Sequence, residues 1–325
     1  MKPGLISNSL AHLSLGDMLD NAARLGLHAV ELVVGGTGPV PHVDRQNLLD
    51  DPRSRADLLR SLATRGLTLV ALNAMGNPLH PQERHQGDDL VDAIRLAGLL
   101  GVETVITASG LPAGNPSDTT PNWITNSWTV ERQRILRYQW EDVLLPFWTG
   151  ISALARENGV REVSLTLGAN QSVHNVPTLL QLREAVGPTI GANLDTSQQF
   201  LMGADPIRVA AALGDTLQHV HAKDVLLNPP VRDVGSIIDT GDLADMDERA
   251  WSFVTPGYGH DRGWWARFFY QLALQGYDGP MVVDHQDLVL APLDALRKSA
   301  ALLRHHLPAG PQADVTTQAH AAPGL

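Results

Sequence analysis

Short apolar runs rich in leucine and β-branched residues alternate along this chain with longer segments whose apolar positions recur every three or four residues. The first pattern is that of buried strands and the second that of amphipathic helices. The runs predict strands over Gly4–Ser9, His28–Val33, Thr68–Asn73, Thr104–Thr107, Glu162–Leu167, Ile190–Leu194, Leu217–Ala222 and Met281–Asp284. The periodic segments predict helices over Gly16–Leu25, Arg53–Arg65, Gly87–Leu100, Glu131–Glu157, Val176–Val186, Asp205–Leu213, Gly263–Leu274 and Leu293–Leu303. Gly26, Gly66, Gly101, Gly159, Gly187, Gly214 and Gly276 each follow a helical run, where a left-handed residue would stop the helix before the next strand. Strict strand–helix alternation predicts a parallel sheet, and eight strands favour a closed (β/α)8 barrel over an open sheet.

The chain has 325 residues, 43% of them hydrophobic, which suits one such barrel over residues 1–307 and leaves no room for a second full domain. From residue 308 to 325 the sequence PAGPQADVTTQAHAAPGL loses all periodicity and is expected to be a disordered tail. Two connections, Ala108–Val130 after the fourth strand and Lys223–Arg262 after the seventh, are long and carry several Pro, Gly, Asn, Asp and Trp residues. On the C-terminal face of a barrel such loops shape or cover a pocket.

Charge and cysteine content narrow the partners. Lys and Arg number 24 against 35 Asp and Glu, a net charge of −11 that argues against a nucleic-acid partner. A small-molecule substrate is expected instead, with a homo-oligomer as the base expectation for the assembly. The absence of cysteine excludes disulfides and thiolate chemistry. The first residues, MKPGLISNSLAHLSLGDML, are too interrupted for a signal peptide or membrane span, so a cytoplasmic protein without membrane contact is expected.

The polar residues that end strands carry the candidate chemistry. Strand six ends in NLDTSQQF, strand seven in HVHAKD and strand eight in VVDHQD. A barrel would bring Asp195, His221 and Asp284 to one rim, and one imidazole with two carboxylates can hold Mn²⁺, Mg²⁺, Fe²⁺ or Co²⁺. Taken singly, each could equally cap the loop or helix that follows it.

From about Gly4 to Leu303 the chain resembles the sugar phosphate isomerase/epimerase family of xylose-isomerase-like TIM barrels. The resembling segments are HAVEL, ALNAMGNPLHP, GANLDTSQQFLMGADP, HVHAKD, TPGYGHDRGWW and GYDGPMVVDH, in that order. The resemblance implies one divalent cation held by a Glu ending strand five, an Asp ending strand six, a His ending strand seven and a Glu ending strand eight. Three of these positions fall on Asp195, His221 and Asp284. The departures are specific: Thr166 stands at the strand-five Glu, Gly168 where a His follows it, Gln198 where a His follows the strand-six Asp, and Asp284 where Glu is usual.

In the resembled epimerases the two glutamates act as bases on opposite faces of a carbon next to a carbonyl, and Thr166 is no base at neutral pH. Two-base epimerisation is therefore disfavoured, and chemistry with one base is expected: aldose–ketose isomerisation, dehydration or β-elimination on a sugar, keto sugar, glycoside or cyclitol. Asp284, His260 and Lys223 are the catalytic candidates. Asn73, His80, Thr166, Gln198 and Trp264 are candidates for lining the substrate pocket, and Glu31 for either a pocket or a core hydrogen-bonding role. Other tryptophans, Trp123, Trp128, Trp140, Trp148, Trp251 and Trp265, crowd the long loops and adjoining helices, where some would stack on a ligand. No glycine pair sits in a phosphate-cradling pattern. Loss of the strand-five Glu keeps two alternatives open: a metal-free acid/base enzyme of the same ancestry, and a non-catalytic binding or partner subunit.

Overall fold

The computed structural model describes residues 1–307, so the segment expected to be a disordered tail lies outside the described residues. Eight parallel strands close into a barrel: β1 (Lys2–Ile6), β2 (Ala29–Gly36), β3 (Thr68–Met75), β4 (Thr104–Thr107), β5 (Glu162–Thr166), β6 (Ile190–Asp195), β7 (Leu217–Ala222) and, after an intervening hairpin, β10 (Pro280–Val283). Each strand pairs with its neighbour in sequence, and β10 closes the ring by pairing with both β7 and β1. The seven glycines that follow helical runs all have positive φ, as the sequence pattern requires.

Alternation along each strand sorts the residues into two environments. One parity, including Leu5, Leu32, Leu72, Val105, Leu165, Leu194, Val220 and Met281, belongs to the large buried cluster packed against the helices. The other parity carries Glu31, Asn73, Thr166, Asn193, Asp195, His219 and His221, all buried polar groups inside the ring. Packing outside the ring supplies most of the apolar burial; inside, a small cluster of Ile6, Val33 and Val282 shares the space with the polar groups.

The differences from the sequence reading have local causes. In the long connection after β7, β8 (Asp224–Leu227) and β9 (Trp251–Val254) form an antiparallel hairpin; each is four residues long and stands outside the strand–helix alternation that marks the equally short β4. The helix expected over Glu131–Glu157 is a run of three pieces, Val130–Arg137 and Leu145–Glu157 flanking a π-helical turn over Tyr138–Leu144. The wider turn buries Gln139, whose Nε2 donates to the carbonyls of Pro112, Ala113 and Asn122 and so ties down the loop after β4. Among the described residues no helix is long and apolar enough to cross a membrane.

Candidate active site

Barrel closure brings the ends of β2, β3, β5, β6, β7 and β10 around one polar cavity of about 370 Å³. Asp195, the last residue of β6, starts the short helix Thr196–Leu201. Its Oδ1 accepts from the Ser197 N–H at 2.9 Å and the Ser197 hydroxyl at 2.6 Å. Capping thus occupies one oxygen only: Oδ2 is left facing His221 Nδ1 at 3.9 Å.

His221 is oriented from behind. Its Nε2 lies 2.8 Å from Glu31 Oε2, and Glu31 Oε1 accepts from Asn73 Nδ2 at 2.6 Å. His219 Nε2 lies 2.8 Å from the same Oε2. Burial works against a charge on Glu31, yet the facing imidazoles of His221 and His219 outweigh it and hold the carboxyl below the usual carboxylate range. Burial likewise opposes a charge on His221, but the Glu31 carboxylate, aided by Asp195 and Asp284, overcomes it and the imidazole is pushed up to about 9. The contact to Glu31 assigns the Nε2 proton to that bond and turns Nδ1 towards the cavity, the arrangement by which a carboxylate fixes a metal-binding histidine. Asn193 Nδ2 lies 3.2 Å from that Nδ1 and donates to Thr166 Oγ1 at 2.9 Å.

Across the cavity, Asp284 follows β10 directly and Lys223 follows β7. Lys223 Nζ donates to Asp284 Oδ2 at 2.7 Å and sits 4.2 Å from the centre of the Phe253 ring. Among the described residues, none gives Asp284 Oδ1, which is buried, a hydrogen bond.

Asp195, His221 and Asp284 each place a ligand atom within 4.8 Å of the others. Their oxygen and imidazole donors suit a hard or borderline divalent cation. Three buried carboxylates, Glu31, Asp195 and Asp284, face the Lys223 ammonium and the His221 imidazole, and a divalent cation that displaced the Nδ1 proton of His221 would balance the remaining charge. The residues present therefore fit such an ion, and the partnerless Asp284 oxygen has a use. A second group of ligating atoms, Glu31, His219 and His221, is wholly buried, and there the carboxylate is already engaged by the imidazoles.

Among the substrate-pocket candidates, Asn73, Thr166 and Gln198 line the cavity. Gln198 fills the space beside Gly168, where an added Cβ would meet its Oε1 at 2.7 Å, so the two departures from the family pattern are neighbours. The fold does not bring His80, His260 or Trp264 to the cavity lining. His80 caps a turn, its Nδ1 accepting from the N–H groups of Gln82 and Glu83. His260 is locked on the outside of the rim: its Nδ1 is 2.8 Å from Asp224 Oδ1 and its ring stacks on Phe200 with centroids 3.9 Å apart. Trp264 joins that aromatic stack, against Phe200, His260 and Phe268. Sequence reading did not single out Asn193 or His219; each stands two residues before a candidate ligand, and period-two spacing places both on the inner face.

The chain belongs to the xylose isomerase-like TIM barrel family, whose model matches residues 19–306. It is 42% identical over 308 residues to the Bacillus subtilis (strain 168) protein YfiH, covering 94% of this chain and 98% of that one. Its fold is shared by the zinc-binding IolI protein, with TM-score 0.66 and 17% identity over 94% of this chain and 98% of that one. The probable 3-DHS dehydratase AsbF of Bacillus anthracis is similar too, with TM-score 0.64 and 18% identity over 94% of this chain and 99% of that one.

Proposed function

We propose that this protein is an isomerase or lyase that moves a proton at a carbon next to a carbonyl, on a sugar, keto sugar, glycoside or cyclitol, with one divalent cation. One observation carries the reading: Asp195, His221 and Asp284 converge in a polar cavity while the fourth family position holds Thr166. When bound, the cation supplies Lewis-acid polarisation of a substrate oxygen. The chain's own groups do the rest. Glu31 keeps His221 Nδ1 turned to the ligand cluster, Asp284 accepts the proton, and Lys223 hydrogen-bonds the oxygen on which charge develops. Asn73 and Gln198 bind hydroxyl groups. With Thr166 opposite, only one face of the reacting carbon meets a base, which favours isomerisation or elimination over two-base epimerisation. The zinc of IolI and the dehydratase name of AsbF support this reading.

A second reading is favoured by the Lys223–Asp284 contact, which already places a positive charge on one ligand: a metal-free enzyme in which Lys223 and Asp284 act as acid and base. Elemental analysis of the purified protein, with Mn²⁺ titration before and after Asp195→Ala, separates the two. Near-stoichiometric metal, and Mn²⁺ affinity that falls by about a hundredfold or more in the variant, is expected. A metal-free protein without Mn²⁺ affinity would overturn the cation reading in favour of the second.

A further inference from the structure

We propose that the substrate carries an apolar, ring-sized substituent, held in a second cleft beside the polar cavity. The proposal deepens the functional reading above and rests on it for the polar half of the substrate only. The second cleft, also about 370 Å³, is walled by Leu243, Met246, Phe253 and Leu288, with His285 and Gln286 at its polar edge. Phe253 and Gln286 line both cavities. The two cavities therefore adjoin at these two side chains, and a ligand with its polar head against Asp195 and Asp284 would place its substituent across them.

The cleft is a built feature. Buried Asp287 ties its two sides together: Oδ2 accepts from the Thr255 N–H at 2.8 Å and hydroxyl at 2.7 Å, and Oδ1 accepts from the N–H groups of Val289 at 2.8 Å and Leu290 at 3.1 Å. Leu243 and Leu288 are nevertheless 54% and 64% exposed, so none of the described residues covers their side chains. Exposed apolar groups rimming a cleft mark a ligand-binding surface. A protein partner needs roughly 1,000 Å² of complementary surface, whereas this cleft has the dimensions of a small-molecule pocket, apolar with a few polar groups. Its position next to the polar cavity, with Phe253 and Gln286 in the lining of both, selects the substrate's own substituent as the occupant.

The test is calorimetric titration with three probes: methyl β-D-glucopyranoside, 2-naphthyl β-D-glucopyranoside and 2-naphthol. The variants are Leu243→Asp and, separately, Leu288→Asp, both at exposed positions that tolerate a charge. The naphthyl glucoside is expected to bind about tenfold more tightly than the methyl glucoside, and each Asp variant to bring that ratio close to one. Equal affinities in the unaltered protein would overturn the second cleft while leaving the carbohydrate reading intact. Binding of 2-naphthol alone, lost in both variants and with neither glucoside bound, would support the cleft and overturn the carbohydrate reading. If no naphthyl probe binds, the proposal fails.

Discussion

Glu31 retains its charge at the centre of the barrel because two imidazoles and the Asn73 amide surround it; in return it decides which nitrogen of His221 faces the cavity. Burying a carboxylate is tolerated only with such partners. Glu31→Gln keeps the shape but removes the charge and one acceptor oxygen. It is expected to weaken Mn²⁺ binding by about 10–100-fold, the usual effect of losing the group behind a metal-binding histidine. It should also cost about 1–3 kcal/mol of stability, read from urea denaturation. Unchanged Mn²⁺ affinity would mean that His221 does not need Glu31 to present Nδ1. The motif HAVEL marked this residue in the sequence, but it could not say whether the side chain lines the pocket or lies beneath it; the inward parity of β2 puts it beneath.

At the scale of elements, the β8–β9 hairpin and the loop after β10 form one side of the site, and two buried aspartates hold them. Asp224 gathers the N–H groups of Gly257, Gly259 and His260 together with Trp265 Nε1, which makes the TPGYGHD segment a structural clasp that holds His260 away from the cavity lining. Asp287 joins the end of β9 to residues 289 and 290. Burial pushes its pKa up, but hydrogen bonds from the Thr255 hydroxyl and the N–H groups of Leu290, Val289 and Thr255 outweigh that and hold it below its ordinary 3.8. A folded-state pKa below the unfolded one means that the carboxylate stabilises the fold above about pH 3.8, and that this contribution is lost as pH falls through the depressed value. Asp287→Asn should therefore cost about 1–3 kcal/mol at pH 7 and progressively less below pH 3.8. Urea midpoints of both proteins at pH 7 and pH 3 check this; a constant gap would contradict it.

At the scale of the molecule, the three candidate ligands sit at residues 195, 221 and 284, at the ends of β6, β7 and β10, which are far apart in the chain and lie side by side only in the folded sheet. Unfolding separates them, so a cation bound there stabilises the native state alone. Mn²⁺ at about one hundred times its dissociation constant is expected to add about 2.7 kcal/mol, and EDTA to reverse it. Scanning calorimetry would register this as a rise of several degrees, and its absence would count against a native cation site.

The sequence by itself determined the architecture: apolar period and helix-stopping glycines act through neighbouring residues, and both survive into the fold. It also pointed to Asp195, His221 and Asp284 as residues that meet at one rim, because strand-end positions follow from strand boundaries. Tertiary structure alone decided which polar groups share a volume. His80, His260 and Trp264 lie in segments that match the family pattern, yet capping bonds and aromatic stacking hold them off the cavity, while Asn193, His219 and Phe253 enter the site region through partners far away in the chain. Hydrogen bonds and ion pairs of that kind span tens to hundreds of residues and leave no periodic mark on a sequence, so the set that surrounds His221 emerges only when the ring closes.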